Sequence, residues 1–471
     1  MHSLKLCFVF VLLPALSLAQ PKIIVHPESL KTAAKSIGIR FSHMKSPMNF
    51  PQSEMDTIDF GSDGSPGKTV TVYLGEDSVQ VRNDNFPYEE KHFFSLQLAG
   101  RQYVLRLRFN QVFAHFSDDY IRKSRGHNFV EIPETFELAN ILLMLSPAGQ
   151  KAGNMVKSGQ YYDDVAAYFK PYLGHAVFGK LDFPAGQYMQ RYYEFRENSI
   201  CYNFKGDELI QAEYFFVTGE DNSGYTNAFR DHLELITDFA RKSKFREFYK
   251  RHLTFYQEQI AKQTEWSDLA GMHKWLEKEF SRPKFDCMKL IFSPVILSSH
   301  STQRFGGFDS NGKNYQQMVM FVSGPDVYNA EAALTNDQRR GLLAGIIFTE
   351  MDHNYVNQRT SDFEEAIDSI FSKRELWAPN GNSGFYQSSV SVFNEYFTHA
   401  LFSLYVLDQY DDATARFLIT RREVLMAERR GFVKFREFNA ALMKIKKENA
   451  ETPVSALYPK IIDWCRSFSK R

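Results

Sequence analysis

Apolar residues recur along this chain with two different periods, and the change from one to the other divides it. Between Pro21 and about Tyr120 the alternation has period two. Thr69 to Tyr73, Val79 to Arg82, His92 to Leu98 and Tyr103 to Asn110 therefore predict strands, separated by turn chemistry at residues 61–67 (GSDGSPG) and 75–77 (GED). After about Asn128 the period is that of a helix. Thr135 to Leu145, Tyr161 to Tyr172, Asn227 to Lys242, Phe245 to Lys262 and Leu269 to Phe280 all carry it. The polar, aperiodic stretch Asp118 to Asn128 (DDYIRKSRGHN) reads as a linker. Met288 to Leu297 and Gln317 to Ser323 predict two strands within the later part, with the turn-rich Ser301 to Lys313 between them. The expected class is α+β: a small β-rich N-terminal domain over residues 20–125, then a mostly helical domain over 126–471.

The longest helical pattern is also the one that carries chemistry. Thr335 to Gln338 has the form of a capping box, and Leu342, Leu343, Ile346, Ile347 and Met351 keep the helical period behind it. On the predicted helix, Thr349 and His353 are four residues apart, about 6 Å along the axis and about 40° in rotation, so they share a face. Glu350 sits beside that face. This is the layout of H-E-x-x-H, in which two histidines bind zinc and the glutamate activates the metal-bound water, with threonine where the first histidine would stand. A threonine hydroxyl lies close to the backbone and is a poor zinc ligand at neutral pH. Gly341, Gly345 and Thr349 also form a stripe of small residues suited to close packing. A second predicted helix, Ser388 to Leu407, places Glu395 and His399 four apart among Val392, Phe393, Phe397, Leu401 and Phe402, where an unpaired carboxylate would be costly to bury.

Composition narrows the setting. Residues 1–19 combine Lys5, an apolar run from Leu6 to Leu18 and small residues before Gln20, the pattern of a cleaved export signal; the mature chain is expected in the periplasm or outside the cell. Lys plus Arg equals Asp plus Glu at 56 each, so removing Lys5 leaves the remainder one unit negative, a balance that points away from nucleic acid and anionic membranes. No later stretch approaches the length of a membrane span. Cys201, Cys287 and Cys465 remain, allowing at most one disulfide, and none is in a C-x-x-C metal arrangement.

Several separated motifs carry a resemblance: IPETFELANILLMLSP (132–147), AYFKPYLGHAVF (167–178), DFARKSKFREFYKRHLTFY (238–256), LIFSPVILSSH (290–300) and FTEMDHNYVN (348–357). Over roughly residues 128–430 the chain resembles a secreted bacterial domain-of-unknown-function family that is itself similar to the gluzincin metallopeptidases and usually carries H-E-x-x-H followed by an aromatic residue and V-N. The resemblance implies Glu350 as general base, His353 as second zinc ligand and Glu395 as third. In gluzincins the residue one turn beyond that third ligand often contacts the first histidine; here it is His399. An imidazole transferred from one helix to the other would give the ligand set His353, Glu395 and His399.

Two readings stand side by side. The first is a zinc-dependent peptidase-like hydrolase acting on an extended peptide or protein. The second is a pseudopeptidase, a binding module that keeps the cleft without the metal. Arg429 and Arg430 read as a solvated face.

Overall fold

The computed structural model describes residues 22–26, 30–42, 47–51, 57–63, 69–82, 84, 90–110, 112–218, 229–311, 313–379, 383, 386 and 388–469. The expected export signal, part of the turn at 61–67 and the start of the helix expected from Asn227 lie outside these residues. The chain is α+β and forms two compact units, Met1–Phe113 with Val217–Tyr225, and Ala114–Phe216 with Thr226–Arg471.

The first unit is built of strands because its apolar residues alternate. One sheet runs Met48–Phe50, Ile37–Phe41, Thr69–Leu74, Asp77–Arg82, antiparallel throughout. Its alternate residues Ile39, Phe41, Val70, Val72 and Leu74 are buried. The other sheet is centred on the hairpin Glu90–Leu98 and Arg101–Asn110. That hairpin turns through Ala99 and Gly100, both at positive φ (47° and 83°), the backbone of a tight two-residue turn that matches strand twist. Lys22–Val25 and Leu30–Thr32 add to the hairpin in parallel on one side and Thr57–Asp63 on the other. Phe50 of the first sheet meets Tyr103 of the second edge-on, 5.3 Å between ring centres.

In the second unit, Asp118–Ser124 is a helix (α1) and His127–Glu131 a strand (β1), so the segment expected as a linker is part of the fold and the boundary falls near residue 113. Ser117 caps α1 by accepting from the Tyr120 amide, and Tyr120 and Ile121 are its buried side. The remaining elements that position the site are α2 (Glu134–Leu145), α3 (Gln160–Phe169), α4 (Tyr188–Asn198), α5 (Leu253–Ser267), β2 (Cys287–Ser293), β3 (Ser301–Phe308), β4 (Asn314–Ser323), α6 (Asn336–Thr360), α7 (Ser389–Gln409) and α8 (Asp412–Val424). The sheet order is β1-β2-β4-β3, parallel except for β3, which pairs antiparallel to β4 at the edge. β3 occupies the stretch expected as turn. The helix expected over Phe245 to Lys262 is two, Phe245–Arg251 and α5, broken at His252.

α6 is the expected central helix. Thr335 accepts from the Gln338 amide at 3.2 Å and Gln338 accepts from the Thr335 amide at 3.0 Å, completing the capping box. It lies against β3, β4, α5, α7 and α8. α7 is buried on every face from Val392 to Val406, as a helix apolar all round must be. The small-residue stripe of α6 is its seam with these helices: a Cβ on Gly341 would come within 2.4 Å of Leu418, and one on Gly345 within 2.3 Å of Arg422 and 2.8 Å of Phe402. Cys201, Cys287 and Cys465 are buried and form no disulfide with one another. Among the described residues no helix is long and apolar enough to cross a membrane.

Candidate functional site

α6 and α7 bring the half-buried Glu350 and His353 together with the buried Glu395 and His399 in one polar cluster. His353 Nε2 lies 3.5 Å from Glu395 Oε1, and its Nδ1 is 3.5 Å from the Thr398 hydroxyl. His399 Nε2 lies 3.4 Å from Glu395 Oε2. Thr349 does not reach the cluster. Its hydroxyl donates back into its own helix, to the carbonyls of Gly345 at 2.9 Å and Ile346 at 3.0 Å.

Two arginines complete the cluster. Arg422, on α8, donates from Nη1 to His399 Nδ1 at 2.6 Å. Arg430 donates from Nη2 to Glu395 Oε2 at 2.8 Å and to the Tyr386 hydroxyl, while its Nη1 abuts His399 Nε2. Arg430 belongs to no solvated face, contrary to the sequence reading. The cause is local: after α8 the chain widens into a π-helical turn, Leu425–Arg429, with the Arg430 amide bonded to the Leu425 carbonyl at 2.9 Å. Eight residues of straight α-helix would rotate Arg430 about 80° away from Arg422. One extra residue absorbed in a wide turn makes eight residues span what seven normally do, leaving the two within about 20° of a common face.

The charges set one another's ionisation. Burial would raise the Glu395 carboxyl, but Arg430, the His399 bond and His353 hold it well below the usual carboxylate range. Burial pushes His399 down to about 3; the Glu395 bond opposes this, and Arg430 and Arg422 reinforce it, so the ring is neutral. Burial, with Glu395 nearby, pushes Glu350 up to about 8 against the pull of Arg196 and Arg430. Asp352, on the same helix, is buried with neither carboxyl oxygen hydrogen-bonded, and burial raises it well above the ordinary value.

Arg196 on α4 approaches from the sheet side. Its guanidinium is fully buried and donates to the Tyr192 hydroxyl at 2.7 Å, the Ser299 carbonyl at 3.0 Å and the Ser301 hydroxyl at 2.8 Å. Its neighbour Glu197 accepts from Gln303 at 2.9 Å, so α4 is fastened to the edge strand β3. α6 is fastened to the same strand by Asn354 to Thr302 at 2.8 Å and Arg304 to Gln358 at 3.2 Å.

Zinc does not fit this donor set. A catalytic zinc takes three protein ligands and a water. A neutral imidazole has a single lone pair, and both nitrogens of His399 face a guanidinium. Glu395 Oε2 already accepts from Arg430, and Thr349 is turned away. His353 and Glu395 Oε1 remain, one ligand short, and among the described residues no group of three His, Cys, Asp or Glu is arranged to hold a metal.

No family model, curated protein or solved structure matches the chain. Sequence reasoning found the four residues on α6 and α7, whose helical period is strong, and missed the three arginines that decide their chemistry. Arg196 did carry a signal: the charged pair Arg196-Glu197 directly follows Phe195 in a helix with four aromatic residues (YMQRYYEFREN), where ionised groups that become buried must find partners. No comparable signal marks the π turn.

Proposed function

We propose that this is an exported pseudopeptidase: a peptide- or protein-binding module built on a gluzincin-like helix pair, in which a guanidinium takes the place of a metal. The observation that carries the reading is Arg430, seated on Glu395 Oε2 and against His399 Nε2. A cation there neutralises the buried carboxylate, as zinc would, but has no open coordination position to activate water. Glu350, protonated at neutral pH, is then a hydrogen-bond donor rather than a base. The strand β3, tied to α6 and α4, lies at the edge of its sheet, the position at which an extended chain adds as a further strand.

Zinc analysis of purified chain after incubation with excess metal tests the proposal, together with binding and cleavage assays on a library of extended peptides. The expected result is no stoichiometric zinc, saturable peptide binding and no cleavage. Stoichiometric zinc that disappears in His353→Ala would overturn it. The zinc-hydrolase reading retains one supporting observation, the approach of His353 Nε2 to Glu395 Oε1 as two ligands of one ion would approach; it requires Arg430 to withdraw when metal binds.

A further inference from the structure

A pocket of about 500 Å³ opens elsewhere in the second unit and shares no residue with the cluster above. It lies just past the carboxyl ends of two adjacent parallel strands. Ser293 of β2 and Ser323 of β4 are paired in register, and the residues that follow them, Pro294 and Gly324, both line the pocket. The crevice beyond the carboxyl ends of parallel strands is where open α/β sheets hold small ligands, and the volume is within the range of small-molecule sites.

Its walls are apolar and fixed. The Tyr161 ring is held by a hydroxyl that donates to the fully buried Glu137 at 2.6 Å and shares a 2.6 Å bond with Tyr256. Phe255 and Ile296 continue the apolar lining. One end is polar in a particular way. The first turn of α3, residues 159–162, lines the pocket, and this ten-residue helix starts at Gly159 with no side-chain cap. Its first amides have no described acceptor. Water can serve them while the pocket is wet, but an occupant that filled it with hydrocarbon alone would strand them.

We infer that the pocket binds a small monocarboxylate with an aromatic or branched apolar body, its carboxylate on the free amides at the start of α3 and its body between Tyr161, Phe255 and Ile296. The partial positive charge of a helix start, roughly half a unit, suits one negative charge better than two. The carboxylate of Asp326, at the pocket, is taken up by Gln259 at 2.7 Å, Lys262 at 2.5 Å and Asn329 at 2.8 Å, so no cation is left over for a dianion such as a phosphate monoester.

The test uses the full chain with 3-phenylpropanoate, its neutral amide and phenyl phosphate, followed by calorimetry and thermal shift. The expected result is saturable millimolar or tighter binding of the carboxylate, with the amide and the phosphate at least about tenfold weaker. Ser158→Asp, at an exposed residue lining the pocket beside α3, sets a fixed negative charge against the ligand. It should weaken the carboxylate about tenfold while the unliganded melting temperature does not fall. Equal binding of carboxylate and amide, preference for the phosphate, no saturable carboxylate binding, or a Ser158→Asp protein that melts normally and binds as wild type would each overturn the inference.

Discussion

Replacing Arg430 with glutamine should cost the folded state about 3 kcal/mol near neutral pH, and the cost should shrink as the pH falls. Glu395 is only 6 % exposed and takes its 2.8 Å bond from this guanidinium. A hydrogen bond to a charged group contributes about 1.5–3 kcal/mol, and stripping one partner from a buried ion pair costs about 3–5 kcal/mol. The Arg430 side chain is 28 % accessible, so solvent screens part of the interaction and the lower end of that range applies. In the wild type Glu395 has a depressed pKa when folded, so it adds stability above the unfolded carboxylate value of about 4.3 and loses it as the pH falls through the folded value. Without Arg430, burial dominates and the folded pKa rises; ionised Glu395 then penalises the fold at neutral pH, and protonation removes the penalty. Urea unfolding of both proteins at pH 7 and at about pH 4.5 measures this, read from the transition of the larger unit. Equal differences at the two pH values would mean that Arg430 acts by packing alone. No difference at pH 7 would mean that it is not seated on Glu395.

Other substitutions probe the surroundings. Glu350→Gln should stabilise: the carboxyl titrates near 8 when folded, so its stability is full below the unfolded value of about 4.3 and is lost as the pH rises through 8, giving a gain on the order of 5 kcal/mol at pH 8 and none near pH 4. A pH-independent difference would refute that. Gly345→Ala should cost about 1–3 kcal/mol by forcing Arg422 and Phe402 off the seam; a neutral effect on urea midpoint would show slack there. Thiol titration should find Cys201, Cys287 and Cys465 unreactive in the native chain and all reactive after denaturation without reductant, and any that stay blocked would reveal a disulfide.

What the amino-acid pattern made legible follows packing strength. α6 and α7 announced themselves because their buried residues recur with helical period and their starts carry capping chemistry. α1 and β1 did not, since α1 buries few side chains and β1 is half exposed, leaving too few apolar positions to set a period. β3 was masked by Gly306 and Gly307 and by its place at the sheet edge, where polar residues are tolerated. The cluster was half legible for a related reason: a carboxylate and an imidazole at fixed helical spacing declare a common face, whereas the arginines that meet them come from distant segments. Thr349 was the informative clue, and the threonine is the least conspicuous part of the answer.

The widened turn at Leu425–Arg429 carries a genetic implication. Which cation serves the Glu395 carboxylate is set by one residue of chain length as much as by the chemical identity of any side chain in the cluster. A single-codon insertion inside that turn would add about 100° of rotation and swing the guanidinium out of register with Arg422, leaving Glu395 and His399 with a free face each. The same cleft could thus pass between a lineage that holds an arginine and one that holds a metal by an insertion that alters none of Glu350, His353, Glu395 and His399.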